Sequence, residues 1–162
     1  MMGGRGTSSK GIAFYVRQYA LSWARSQIGS KEYAKSARLG DWGENTWKCN
    51  AFVIRAFNYN GIPDVIGQKS NPRTLWLTKV PHRARDFYEG KVPGFVQVKH
   101  PQPGDVCADG SHVGIVSQPG KTISASKDSV VENDWGFRKK AKRESRFFRY
   151  VGTSKNVPKK KK

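Results

Sequence analysis

The sequence predicts an α+β fold in which helices come first along the chain and an antiparallel sheet follows. Two helical patterns lie in the first sixty residues, and short β-like runs separated by turn sequences follow Gly94. With 162 residues, the chain has the size of one domain. We expect a flexible N-terminus over residues 1–11, one compact domain over residues 12–153, and a basic, disordered tail over residues 154–162.

The first helical pattern covers residues 13–28, AFYVRQYALSWARSQI. Apolar residues recur there at helical spacing, which predicts an amphipathic helix. The predicted apolar face consists of Phe14, Val16, Tyr19, Ala20, Trp23 and Ile28. Gly29 follows at a position where helices often end. The polar, glycine-containing segment from residue 30 to 47 is predicted to be a loop.

The second helical pattern runs from Cys49 to Asn60 and has a clear apolar face. That face consists of Phe52, Val53, Ala56 and Phe57, at positions i, i+1, i+4 and i+5. The stop sequence NGIP ends it at residues 60–63. Cys49 lies in the first turn of this helix, where unpaired backbone N–H groups and the helix dipole favour a thiolate.

The second half of the chain has short β-like runs separated by turn sequences, as is typical of an antiparallel sheet. Strands are predicted at residues 95–98, 105–108, 112–117, 121–126 and 146–151, with a QPG hairpin loop between the third and the fourth. Short helical turns are predicted after Pro72 and within residues 81–90. The segment VENDWGFR, residues 131–138, is predicted to be a polar turn.

The net charge of +18 indicates a protein that associates with polyanions such as nucleic acid, anionic lipid surfaces or acidic wall polymers. Residues 138–162 hold twelve lysines and arginines and one acid. This segment is either a solvated face with a frayed tail or an anion-binding patch. The sequence contains no run of 18 apolar residues, so it predicts no membrane-spanning helix. Residues 1–11 show no apolar core of the signal-peptide type, so export by another route, prior removal of a signal, and retention inside the cell stay open.

A cysteine nucleophile needs a base, and histidine is the side chain that titrates near neutral pH. His82 and His100 lie in polar stretches and are predicted to be ordinary surface residues. His112 begins a strand and shares a face with Gly114, which we expect to leave open space beside the imidazole. Cys49 and His112 are therefore the candidate nucleophile and general base. The alternative is that Cys49 only fills the core.

The segments KCNAFV (48–53) and QPGDVCADGSHVGIV (102–116) resemble the two signature blocks of NlpC-like, papain-fold cysteine peptidases and amidases. The resemblance covers residues 25–137. It implies a papain-like fold of the NlpC type, with the nucleophile at a helix N-terminus packed on an antiparallel sheet. The residues beside the cysteine, Lys48 and Asn50, resemble one branch: the type VI secretion peptidoglycan amidase effectors and their domesticated animal relatives.

The resemblance also implies further site residues. Tyr33 falls where the family places a tyrosine near the thiol and the oxyanion site. The third catalytic position, twelve residues after His112, falls on Ser124, which can orient the imidazole but carries no charge. Asn133 and Asp134 are the alternatives for that position.

Other residues near the two blocks have more than one interpretation. Trp47, Asn50 and Trp135 are candidates for substrate binding, and Trp42 and Trp76 are weaker ones, although each tryptophan can equally pack in the core. Asp105 is expected to hold a turn. Cys107 is expected to be an inert strand residue, with a regulatory disulfide to Cys49 as the alternative.

The implied function is hydrolysis of amide bonds in peptidoglycan stem peptides or cross-links by a Cys–His mechanism, leading to antibacterial cell-wall lysis. No cofactor and no metal are expected. The expected partners are stem peptides, anionic wall polymers bound by the basic tail, and an immunity or delivery protein. We expect a monomer that is secreted or delivered to the bacterial wall or periplasm. The alternatives are a papain-fold acyltransferase or protein deamidase, and a basic nucleic-acid-binding module.

Overall fold

The architecture is an antiparallel sheet with helices packed on one face. The computed structural model describes residues 9–39, 44, 46–58, 65–74, 78–141 and 143–152. The strands are β1 (Lys69–Ser70), β2 (Lys79–Val80), β3 (Phe95–Val98), β4 (Val106–Ala108), β5 (Val113–Gln118), β6 (Lys121–Ala125), β7 (Val130–Asn133) and β8 (Arg146–Tyr150). Strands β1 and β2 form a separate pair, and the larger sheet has the order β3-β8-β4-β5-β6-β7 with every neighbour antiparallel.

The helices are α1 (Ser9–Ser26), α2 (Cys49–Asn58) and α3 (Ala84–Tyr88), and residues Pro72–Thr74 form a 3₁₀ turn. The α+β order predicted from the sequence is confirmed. Helix α1 begins at Ser9, so the predicted flexible N-terminus overlaps its first turn. The predicted stop at residues 60–63, Trp42, Trp76 and the tail from residue 154 lie outside the described residues.

The buried face of α1 differs from the predicted one. Val16 and Ala20 are buried as expected, but Phe14, Tyr19 and Ile28 are exposed. The buried face consists of Ala13, Val16, Ala20, Leu21 and Ala24. Ala13, Val16, Ala20 and Ala24 recur every three to four residues, and small residues allow a helix to approach its neighbours closely. Trp23 is partly buried and packs against the core, as predicted. The prediction of the inward face was therefore wrong for Phe14, Tyr19 and Ile28.

Residues 131–138 were also predicted incorrectly in part, because they begin within a strand. β7 pairs with β6, with Ala125 opposite Val130 and Thr122 opposite Asn133. The β-branched pair Val130-Val131 favours this extended structure. Only Asp134 and the residues after it form the predicted turn.

The core lies between α1, α2 and one face of the larger sheet. Helix α2 buries Phe52, Val53, Ala56 and Phe57, as its spacing predicted, and it packs against β5 and β6. Each buried aromatic ring removes about 150–250 Å² from water, so this face stabilises the position of the helix strongly. The packing fixes the N-terminus of α2 beside the start of β5. Among the described helices, none is long and apolar enough to cross a membrane.

Candidate active site

The fold brings Cys49 to the residue that follows His112. Cys49 is the first residue of α2, is 5% exposed and is a free thiol. The backbone N–H of Val113, the first residue of β5, lies close enough to lower the pKa of this thiol, as do its own N–H and that of Asn50. Two residues that are distant in sequence thus meet where a helix begins and a strand begins.

Burial controls the protonation of both groups. It raises the pKa of the Cys49 thiol, and the three backbone N–H groups oppose that shift only in part. Burial also lowers the pKa of His112, against the charge of Asp109, which raises it. Burial thus favours the neutral thiol and the neutral imidazole over their charged forms. The backbone N–H groups at the helix N-terminus favour the thiolate, as expected, but desolvation is the larger effect on the Cys49 pKa.

Asp109 and Trp135 hold His112 from two sides. The Asp109 carboxylate accepts hydrogen bonds from the backbone N–H groups of Ser111 at 3.0 Å and His112 at 2.9 Å. The Trp135 ring meets the imidazole edge-on, with the ring centroids 4.5 Å apart. Asp109 was missed in the sequence, although an aspartate followed by glycine is a known signal for such a turn.

Gly114 makes room for a neighbouring strand and not for a substrate. A Cβ at this position would lie 2.9 Å from the Ile123 carbonyl oxygen and 2.9 Å from Ser124 Cβ. The expected open space beside the imidazole is therefore filled by β6, which was not foreseeable from one strand alone. Ser124 is buried across from Gly114 and diagonal to His112, a position from which long side chains still reach each other.

The two alternative third residues have local partners. Asp134 is exposed and forms an ion pair with Arg138 at 2.7 Å. The side-chain oxygen of Asn133 accepts a hydrogen bond from the Trp135 N–H at 3.0 Å. Both contacts shape the turn that carries Trp135. Ser124 therefore stays the candidate for the third position, because the strand register places it diagonal to His112.

Tyr33 is anchored in the core. It is 1% exposed, and its ring packs edge-on against Trp23 and Phe52 at centroid distances of 6.0 and 5.3 Å. Its hydroxyl accepts a hydrogen bond from Arg55 at 3.5 Å. Tyr33 is not among the residues that line the cleft beside Cys49.

A cleft of about 680 Å³ opens beside Cys49. Trp47, which is 54% exposed, forms part of its wall, and Asn50 lines it while its amide donates to the His82 carbonyl at 2.9 Å. Arg83 and Arg85 also line this cleft, and no acid is among the described residues that line it. The two arginines lie in the HRAR segment, and nothing in that segment pointed to the site.

His82 was predicted to be a surface residue, and this was wrong, because it is only 5% exposed. Its Nδ1 lies 3.8 Å from the Asp86 carboxylate. Asp86 in turn accepts a hydrogen bond from Lys69 at 2.6 Å. Burial lowers the pKa of His82. A polar sequence neighbourhood hid this burial, since the flanking arginines point to solvent while the histidine packs inward.

Lys48 is a buried cation next to Cys49 in the chain. It is 1% exposed, and its ammonium donates to the carbonyls of Ala34 at 3.0 Å, Lys35 at 3.2 Å and Thr46 at 2.9 Å. Burial lowers the pKa of this lysine. The contacts tie the segment after Tyr33 to the loop that leads into α2.

Cys107 and Asp105 are buried and hydrogen-bonded within the fold. Cys107 is a buried, free thiol that hydrogen-bonds with Ser145, and burial raises its pKa to about 12. Such a thiol is unreactive. Asp105 is fully buried, accepts from the Gln102 N–H at 2.7 Å and pairs with Arg149 at 2.8 Å. Within the described part of the chain, no group of three or more His, Cys, Asp or Glu is arranged to hold a metal ion.

The described fold is that of the NlpC/P60 papain-like domain. Two solved structures of the resuscitation promoting factor interacting protein RipA, one mutated at a cysteine and one at a glutamate, are similar to this chain. The TM-scores are 0.58 and 0.57 at 17% and 18% identity, over 87% of this chain. The matched regions cover 65% and 64% of the RipA chains, so this chain spans less than two thirds of them. No protein-family model and no curated protein matches the sequence.

Proposed function

We propose that this protein is a cysteine hydrolase that cleaves amide bonds in the stem peptides or cross-links of peptidoglycan. The likeness to RipA supports a fold of the cell-wall endopeptidase type. The observation that carries the proposal is that Cys49, the first residue of α2, lines the same cleft as Ser111, the residue directly before His112.

In the proposed mechanism, the thiol proton of Cys49 passes to His112 as the sulfur attacks the amide carbonyl. The backbone N–H of Cys49, at the start of α2, then stabilises the oxyanion, with Tyr33 as a candidate second donor. His112 returns the proton to the leaving amine and next activates a water molecule that releases the acyl-enzyme. Ser124 orients the imidazole, and no metal or cofactor takes part.

The charge of the cleft fits this substrate class. Arg83 and Arg85 line it, the lining residues that the structure describes include no acid, and guanidinium groups bind carboxylates well. Stem peptides carry free carboxylates. Trp47, on the same wall, offers an apolar surface against which a peptide can lie.

The proposed setting is the bacterial wall or periplasm, reached by secretion or delivery. There the protein acts as a monomeric antibacterial effector with an immunity or delivery partner. A papain-fold acyltransferase or deamidase would use the same dyad. The acyltransferase differs from the hydrolase in the acyl acceptor, and the deamidase differs in the amide that is attacked. Identification of the reaction products therefore distinguishes the three activities.

The test is incubation of purified muropeptides and intact sacculi with wild-type protein, Cys49→Ala and His112→Ala, followed by chromatography and mass spectrometry. Cys107→Ala is the matched control, because it removes the other buried free thiol. We expect new fragments from wild type and Cys107→Ala only, and their masses identify the bond. Equal cleavage by Cys49→Ala, or no cleavage by folded and reduced wild type, would exclude the proposal. An added amine that appears in the product would indicate acyl transfer.

A further inference from the structure

A second pocket lies on the His112 side of the site, and basic side chains line it. Its volume is about 390 Å³, and its walls include Trp135, Arg138, Lys140 and Arg143. We call it the basic pocket. It is built from the start of the chain segment in which the sequence concentrates positive charge, so part of that charge is gathered around one cavity.

The basic pocket lies next to the candidate active site. Ser111 lines both the basic pocket and the cleft beside Cys49. Trp135, which lines the basic pocket, has its ring centroid 4.5 Å from that of His112. We therefore expect a substrate that lies in the Cys49 cleft and continues past His112 to reach the basic pocket.

The positive charge of the basic pocket is not balanced by its acids. Asp109 is the acid that lines it, and this carboxylate accepts hydrogen bonds from the backbone of Ser111 and His112. Arg138 pairs with Asp134 at 2.7 Å. Among the residues that the structure describes, neither Lys140 nor Arg143 forms an ion pair.

This arrangement favours an anionic ligand. Arginine binds carboxylate and phosphate groups through two parallel hydrogen bonds, and lysine adds a point charge. The volume lies in the usual range for a small-molecule site, about 300–1,000 Å³. We propose that the basic pocket binds an anionic group, carboxylate or phosphate, which the amide substrate carries beyond His112. This inference rests on the proposed hydrolase function.

The experiment measures binding and not cleavage. Cys49→Ala protein is titrated calorimetrically with three probes: a muropeptide with free carboxylates, the same muropeptide with its carboxylates amidated, and an amidated muropeptide bearing a phosphate on its sugar. Each titration is repeated with Lys140→Gln/Arg143→Gln in the same background. The matched control is Lys99→Gln/Lys139→Gln, which loses the same charge at exposed positions outside the pocket.

We expect Lys140→Gln/Arg143→Gln to weaken binding of at least one anionic probe about tenfold, the effect of losing one charge-assisted contact. We expect the control variant, Lys99→Gln/Lys139→Gln, to change the affinity for the same probe less than twofold. Loss confined to the free-carboxylate probe identifies a peptide carboxylate, and loss confined to the phosphate probe identifies a wall phosphate. Equal weakening by both double variants, or equal weakening for the amidated probe, overturns the inference. If these differences appear while wild type cleaves nothing, the hydrolase proposal fails and the binding pocket stands.

Discussion

The protonation states of Cys49 and His112 determine the pH range in which the dyad can act. In the proposed mechanism the pair of Cys49 and His112 holds one proton. At low pH His112 takes up a second proton and becomes imidazolium, and at high pH the pair loses its proton and leaves a thiolate. The His112 pKa lies below its ordinary 6.5 and the Cys49 pKa above its ordinary 9.0. We therefore expect kcat/KM on a soluble muropeptide to stay constant between pH 6.5 and pH 9.0 and to fall with decreasing pH only below pH 6.5. An acid limb above that pH would contradict this account of the site.

Asp109→Asn separates the charge of this residue from its role in the turn. The amide oxygen can still accept the N–H groups of Ser111 and His112, but the negative charge is gone. Because that charge raises the pKa values of both His112 and Cys49, its removal lowers both. We expect both limbs of the pH profile to move to lower pH with little change in stability. Limbs that stay in place would show that the charge of Asp109 has no effect on the dyad.

Gly114→Ala tests the close approach of β5 and β6. Its methyl group would lie 2.9 Å from the Ile123 carbonyl oxygen, so the strands must separate. We expect the free energy of unfolding to fall by about 1–3 kcal/mol, as for other overpacked sites. Gly67→Ala is the control, because a Cβ there meets nothing within 4 Å. Equal urea unfolding midpoints for the two variants would show that the sheet relaxes freely around Gly114.

At the scale of elements, the buried Lys48 ammonium ties the loop before α2 to the segment after Tyr33. Lys48→Met keeps the length of the side chain but leaves the carbonyls of Ala34, Lys35 and Thr46 without this donor. Unpaired buried polar groups cost about 1–3 kcal/mol, so we expect a loss of that order in urea unfolding. Lys99→Met, at an exposed position, serves as the control. Unfolding midpoints that match wild type in both variants would mean that the ammonium does not hold these segments together.

At the scale of the whole molecule, the net charge of +18 favours attraction to polyanions, and salt screens such attraction. The screening length falls from about 10 Å at 0.1 M to about 3 Å at 1 M ionic strength. We expect added salt to raise KM for intact, anionic sacculi much more than for a small amidated muropeptide. Deleting residues 154–162 should weaken binding to sacculi and leave cleavage of the soluble substrate unchanged. A salt response that is the same for both substrates would rule out long-range attraction as the reason for the +18 charge.

The sequence by itself determined the α+β order, the apolar face of α2 and most strand positions, because these follow from local periodicity and turn chemistry. It also indicated Cys49 and His112, since a helix start and a strand start can be located one at a time. The resemblance of the two blocks added the NlpC/P60 papain-like fold, which the structural comparison confirms.

Only the tertiary structure decided what surrounds those two residues. The sequence could not show that β6 fills the space at Gly114, that His82 is buried, or that Phe14 and Tyr19 of α1 face outward. It also could not show that burial outweighs the helix N-terminus at Cys49. These properties depend on contacts between segments far apart in the chain, and desolvation and packing arise only when such segments meet.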